Sequence, residues 1–330
     1  MSHATELAGR LGPLGFGAAP IGNLGRVVSD EDARSALEAA WDGGVRYYDT
    51  APHYGLGLSE RRLGSFLGTK PRDEFVISTK VGRILEPNPD YREGDGDDPG
   101  VEVTQLDDGF AVPARLRRRF DPSEAGIRQS LEDSLERLGL DRVDVLFLHD
   151  PDVYDLDRGL AEGLPALARL RDEGLVGAVG VGVNDAAVAA RAVREGDLDV
   201  IMIAGRYTLL EQPAAEELLP LCEERGVAVV AAAPYNSGLL ATDTPPTDAS
   251  YNYATVPPAV LGRARELADA CREEGWSLPA AALQYPLRHP AVVAVAVGTA
   301  RAESVRENLA RLHSTAPDGF WQRFTERGLI

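Results

Sequence analysis

Two cysteines, five histidines and no apolar run of about 18 residues mark what this 330-residue chain does without. With no such run, no helix is expected to cross a membrane. Cys222 and Cys271 both fall in helical patterns and follow no recognisable spacing. They read as buried thiols of a reducing compartment, not as a disulfide framework. The histidines, at 3, 53, 149, 289 and 313, show neither H-x-H nor H-x-x-x-H spacing. A metal-dependent hydrolase would want such clusters, so no metal site is expected. Positive charge is also scarce: Lys plus Arg is 34 against 52 for Asp plus Glu, a net charge of −18. That balance repels phosphate backbones and argues against nucleic-acid partners. The one basic stretch, ARLRRRF at 114–120, is too short to reverse it and reads as a solvated loop or helix start. The first residues, MSHATELAGRLG, lack the basic-then-apolar order of a secretory signal. The expectation is a soluble, cytoplasmic protein, and the sequence is silent on its oligomeric state.

What the chain does have is alternation. Eight short apolar runs read as strands: LGFGA (14–18), VRYYD (45–49), EFVISTK (74–80), VDVLFLH (143–149), VGAVGVGV (176–183), DVIMIA (199–204), VAVVAAA (227–233) and VVAVAV (292–297). Helical patterns follow each, over 30–41, from Ser59, and over 122–138, 159–173, 185–195, 213–225, 258–274 and 302–311. Ser29, with Asp32 three residues on, reads as the cap of the first helix, and SERRLGSFL reads as a second capping arrangement. Val, Ile and Ala runs without clean alternation suit parallel strands buried on both faces. An open dinucleotide-binding sheet would need G-x-G-x-x-G after an early strand, and GFGAAP (15–20) and GVGVND (180–185) both fail it. Eight βα units therefore favour an α/β fold of the (β/α)8 barrel type, one domain over 1–330. Residues 83–120, rich in Gly, Pro and Asp, interrupt the rhythm between a strand and its helix and read as a lid over the substrate mouth. A shorter polar insert, 236–258, shares that rim.

On a barrel the C-terminal ends of the strands converge on one mouth. Asp49 closes the second strand, with Tyr54 five residues on; Lys80 closes the third and His149 the fourth. Singly, each has an ordinary reading: a turn cap, a packed aromatic, a solvated lysine, a histidine bonded to carbonyls. On three successive strand ends they make a chemical set. A phenol with a pKa of about 10 is a poor proton relay at neutral pH. A neighbouring ammonium favours the phenolate and is expected to lower that value. Asp49 would hold Lys80 charged, and His149 would donate to a substrate oxygen. His53 reads as a rim residue.

YYDTAPHYGLGLSERRLG, VISTKVG and DVLFLHDPD resemble the aldo-keto reductase family, in its aldose 1-dehydrogenase branch, with pyridoxal dehydrogenases nearby. The likeness runs from LGPLGFGAAPIGNL to DGFWQRFTERGLI. It implies a (β/α)8 barrel, a catalytic tetrad at Asp49, Tyr54, Lys80 and His149, and direct hydride transfer between NAD or NADP and a small sugar or aldehyde. It further implies cofactor contacts at Gly17 and Asn184, a pyrophosphate loop at Ser237, Gly238 and Leu239, and an adenosine end at Gly298, Thr299, Arg301, Glu307 and Asn308. Val183, Ala204 and Ala232 stand where the family has Ser, Gln and a ring-stacking Tyr. Gly298 and Ser304 stand where basic residues favour the 2′-phosphate, which tilts the expectation towards NAD. A barrel that binds nicotinamide without turnover is the rival from another class.

Overall fold

The computed structural model describes residues 3–92, 107–252 and 254–330. Eight parallel strands close on themselves. They are β1 (Leu14–Gly17), β2 (Tyr47–Asp49), β3 (Val76–Val81), β4 (Val143–His149), β5 (Val176–Val183), β6 (Val200–Ala204), β7 (Ala228–Ala232) and β8 (Val292–Gly298). Each is hydrogen-bonded to the strands before and after it in sequence, and β8 closes on β1 with Gly17 opposite Gly298. The strand-following helices are α1 (Asp30–Asp42), α2 (Leu58–Leu67), α3 (Glu124–Leu138), α4 (Leu164–Asp172), α5 (Ala186–Glu195), α6 (Leu218–Arg225), α7 (Pro258–Glu273) and α8 (Ala302–His313).

Two apolar layers follow from strands that are buried on both faces. Inside the barrel, Tyr47, Val76, Val145, Phe147, Val200, Met202 and Val230 pack together. Gly15 is required there, because a Cβ would run into the Tyr47 ring. The outward faces of the strands pack against the helices in the larger core. Ser29 caps α1 by accepting from the Asp32 N–H at 3.0 Å, as its sequence predicts. The cap expected in SERRLGSFL does not form. Gly57, at φ 81°, starts α2 without a side-chain cap, and Ser59 and Glu60 are buried and bonded elsewhere.

Among the described residues, three further helices of seven residues or more lie outside the alternation and are absent from the sequence reading. One, His3–Leu11, sends Leu7 and Leu11 into the inner layer at the N-terminal end of the barrel. Another, Leu278–Gln284, lies between α7 and β8, and Phe320–Glu326 closes the chain.

The insert at 83–120 is partly regular. Arg83–Pro87 and Leu116–Phe120 pair as an antiparallel hairpin, so the basic stretch is a strand and not a loop or helix start. Its arginines alternate as strand residues must. Arg117 and Arg119 face outwards onto Glu86, whereas Arg118 is buried against Asp107. The centre of the expected lid, 93–106, lies outside the described residues. Among the described residues no helix is long and apolar enough to cross a membrane.

Candidate active site

The barrel brings Asp49, Lys80 and His149 to one mouth because each is at or beside the last residue of adjacent strands. Tyr54 arrives on the turn after β2. Its N–H donates to the Ala51 carbonyl at 3.1 Å, and Gly55, at φ 62°, lets that turn lie against Gly22 where a Cβ would collide with the Gly22 carbonyl.

Lys80 is at the centre of the site. Its Nζ donates to Asp49 Oδ2 at 2.6 Å, to the Thr50 carbonyl at 3.0 Å and to the Tyr54 hydroxyl at 3.0 Å. All three of its donors are therefore used. Asp49 Oδ1 accepts from Ser78 Oγ at 2.7 Å, and Ser78 in turn meets Tyr47 OH at 3.0 Å. The Lys80 and Asp49 side chains are 2% and 4% exposed, so this is a buried ion pair with its partners supplied.

The electrostatics correct one expectation. Burial pushes the Tyr54 phenol up to about 12, and the opposing pull of Lys80 is the smaller effect. The ammonium acts in the expected sense but does not bring the phenol below its ordinary range. On Lys80 itself burial opposes the charge, yet Asp49 and Tyr54 together hold the amine above its ordinary value. His149 is held neutral: burial, then the nearby Arg83 and Lys80 charges, keep its pKa well below 6.5. Its Nδ1 has no partner among the described residues.

One wall of the mouth comes from the insert. Phe110 stacks on the Tyr54 ring with centroids 5.9 Å apart and meets His53 edge-on at 5.3 Å. His53 packs against His149 at 5.5 Å and is mostly buried, so it is less a rim residue than part of this wall. Arg83 Nη2 donates to Asp150 Oδ2 at 2.6 Å. Sequence reading assigned neither Arg83, Asp150 nor Phe110. The HD pair in LHDPD is the only local signal for any of them.

The residues expected at the cofactor lie along the rim of β5, β7, β8 and β1. Asn184 is exposed just past β5, and its carbonyl accepts from Arg206 Nε at 2.8 Å. Asn236, Ser237 and Gly238 follow one another at φ 45°, 59° and 92°. Ser237 and Gly238 are exposed, whereas the Leu239 side chain is fully buried and offers backbone only. The Asn236, Gly238 and Leu239 N–H groups donate to the Ala233, Tyr235 and Asn236 carbonyls within this turn, so what the loop presents at the rim is the exposed Ser237 hydroxyl. Gly17 and Gly298 face each other at the ends of β1 and β8. Thr299 Oγ1 accepts from the Arg301 N–H at 3.1 Å, ahead of α8. Arg301 pairs with Glu303 at 3.1 Å and Glu307 with Arg311 at 3.2 Å. Asn308 is buried, its Oδ1 accepting from Tyr235 OH at 2.8 Å and Arg311 Nη1 at 3.0 Å, so that oxygen is committed within the protein. Ala204 and Ala232 pair at the ends of β6 and β7 and leave an apolar floor there. The small residues and the exposed Ser237 hydroxyl thus fit an elongated dinucleotide laid along this rim.

A phenol that can exchange a proton with a bound hydroxyl or carbonyl, backed by a fixed ammonium, suits a barrel oxidoreductase. The Aldo/keto reductase family model matches residues 13–327, and the chain belongs to that family as an NAD(P)-dependent oxidoreductase. It is 52% identical over 317 residues to a D-threo-aldose 1-dehydrogenase from a Pseudomonas species, covering 96% of this chain and 94% of the relative. It is 40% identical over 328 residues to the pyridoxal 4-dehydrogenase of Microbacterium luteolum, with coverage of 96% and 94%. Among solved structures it resembles the holo form of an aldo-keto reductase from Bacillus halodurans, with a TM-score of 0.70 and 26% identity over 96% of this chain and 91% of that one.

Proposed function

We propose that this protein oxidises C1 of a small aldose to the lactone, using NAD in preference to NADP, in the cytoplasm. The observation that carries the chemistry is the 3.0 Å contact between Lys80 Nζ and the Tyr54 hydroxyl. The choice of substrate is supported by the 52% identity to a D-threo-aldose 1-dehydrogenase.

The bound nicotinamide would supply the hydride acceptor. The chain's own part is to hold the sugar and move a proton. Tyr54 receives the proton of the C1 hydroxyl in oxidation and returns one to a carbonyl in reduction. Lys80 stabilises the phenolate whenever it forms, and Asp49 fixes Lys80 in place. His149, neutral, donates from Nε2 to the oxygen where charge develops. Gly17, Asn184, Ser237, Gly238, Leu239, Gly298, Thr299, Arg301, Glu307 and Asn308 would line the cofactor groove, Leu239 through its backbone. The preference for NAD is supported by Gly298 and Ser304, which bring no charge, and by Arg301, which already pairs with Glu303.

A second reading, oxidation of a pyridoxal-type substrate, is favoured by the 40% identity to a pyridoxal 4-dehydrogenase. A panel of aldoses, simple aldehydes and pyridoxal, each with NAD+ and NADP+ or their reduced forms, separates the readings by the absorbance of reduced nicotinamide. Turnover of aldoses with NAD+ is the expected result. Turnover of pyridoxal alone, or strong NADP+ selectivity, would refute the respective part of the proposal.

A further inference from the structure

The mouth also holds an ion pair that the proton relay does not use. Asp150 follows His149 directly and is a non-glycine residue at φ 39° and ψ 61°, a left-handed conformation that side-chain-bearing residues adopt at a cost. Its N–H donates to the Gly182 carbonyl at 3.0 Å, tying the turn to β5. Its carboxylate oxygen Oδ2 lies 2.6 Å from Arg83 Nη2 and 3.4 Å from His149 Nε2. Arg83 is 5% exposed, and its Nε has no partner among the described residues. A partly exposed acceptor therefore stands immediately beside the nitrogen assigned to the reacting oxygen.

We propose that Asp150, held by Arg83, is a specificity-determining residue: it accepts a hydrogen bond from the hydroxyl on the carbon next to the reacting one. The inference rests on the assignment of Tyr54 and His149 to the reacting oxygen. An O–H···O bond spans about 2.5–3.0 Å, so a carboxylate 3.4 Å from His149 Nε2 belongs to the neighbourhood of the adjacent substituent. A substrate carrying a hydroxyl there satisfies the carboxylate. An unsubstituted aldehyde sets a C–H against it and strips water from a charged acceptor without replacing the bond. Sites built to hydrogen-bond a hydroxyl reject the analogue that lacks it. The pair thus selects α-hydroxy carbonyls and their cyclic hemiacetals, the chemical signature of sugars. Burial raises the Asp150 carboxyl above its ordinary range, and the Arg83 guanidinium opposes that shift and aims the carboxylate.

The test compares reduction of glyceraldehyde and of propanal, which differ in the hydroxyls, by the parent, Asp150→Ala and Asp150→Asn. The asparagine variant keeps the shape of the turn should the alanine variant fail to fold. The parent is expected to prefer glyceraldehyde in kcat/KM. The ratio of the two kcat/KM values should fall roughly 10- to 100-fold in Asp150→Ala, the size of a lost hydrogen bond to a charged group, and by a smaller factor in Asp150→Asn, which keeps an oxygen that accepts but loses the charge. A ratio unchanged from the parent, with both substrates slowed alike, would overturn the proposal and make the pair a structural support. A parent that reduces propanal but oxidises no aldose would sink the aldose reading while leaving the ratio to decide the role of Asp150. A parent inactive on sugars and aldehydes alike would overturn both.

Discussion

Lys80→Met tests the claim that the relay is a buried ion pair and not a chance meeting of polar groups. The substitution removes all three Nζ bonds and leaves the Asp49 carboxylate, 4% exposed, with Ser78 as its remaining side-chain partner. Breaking a buried pair from one side costs about 3–5 kcal/mol. The unfolding entropy is about 2.1 cal/mol/K per residue, so a chain of this length should melt roughly 4–7 °C lower. The partner variant carries Asp49→Asn as well. The uncompensated charge is then gone, Ser78 still has an oxygen to donate to, and methionine fills much of the lysine volume. Most of the lost stability should return, because replacing both members of a buried pair is often neutral. Activity should not return, since Tyr54 has lost its ammonium in both proteins; a loss of at least ~100-fold is expected in each. Calorimetry and steady-state turnover read the two effects separately. A single variant that melts with the parent, or a double variant no more stable than the single, would refute the energetic argument. Recovery of turnover in the double variant would refute the catalytic one.

Tyr54→Phe should lower hydride transfer by roughly 10²–10⁴-fold while cofactor binding, followed by nucleotide fluorescence, persists; Lys80 retains Asp49 and the Thr50 carbonyl, so the fold is kept. Full activity in that variant would remove the phenol from its role. The rate of oxidation should climb from pH 7 to 10, because Tyr54 must be deprotonated to take the substrate proton and its pKa is near 12; a flat profile under conditions where chemistry limits turnover would contradict this. Stability should fall in mild acid. His53 is depressed to about 2 by burial and by the Arg83 and Arg118 charges. The unfolded chain therefore binds a proton near pH 6.5 that the folded chain refuses, so stability present above 6.5 is lost progressively as pH falls towards the folded value. His53→Phe should flatten the dependence of unfolding free energy on pH between 7 and 5 by up to about 1.4 kcal/mol per unit; an unchanged slope in urea titrations would refute the assignment.

The alternation of apolar runs was sufficient to place all eight strands of the barrel, because strands buried on both faces leave no choice but continuous Val, Ile and Ala. Asp49, Lys80 and His149 were legible for the same reason: a polar residue ending such a run must be at a mouth. The hairpin was hidden because the triplet Arg117, Arg118, Arg119 looks like a solvated charge run. Only pairing with Glu86 and Asp107 shows that its members face opposite ways. The Arg83–Asp150 pair joins residues 67 apart in sequence and follows no spacing rule. The net direction of the Tyr54 shift was illegible too. A charge partner can be guessed from a motif, but the desolvation that outweighs it depends on how the whole rim closes around the phenol.

The Phe110–Tyr54 stack divides labour between two parts of the chain. Strand termini own the proton machinery, while the facing wall is furnished by an excursion between β3 and its helix. Loops of that kind drift in sequence far more freely than barrel strands. A change of appetite therefore needs only the excursion rewritten, with the engine beneath left untouched.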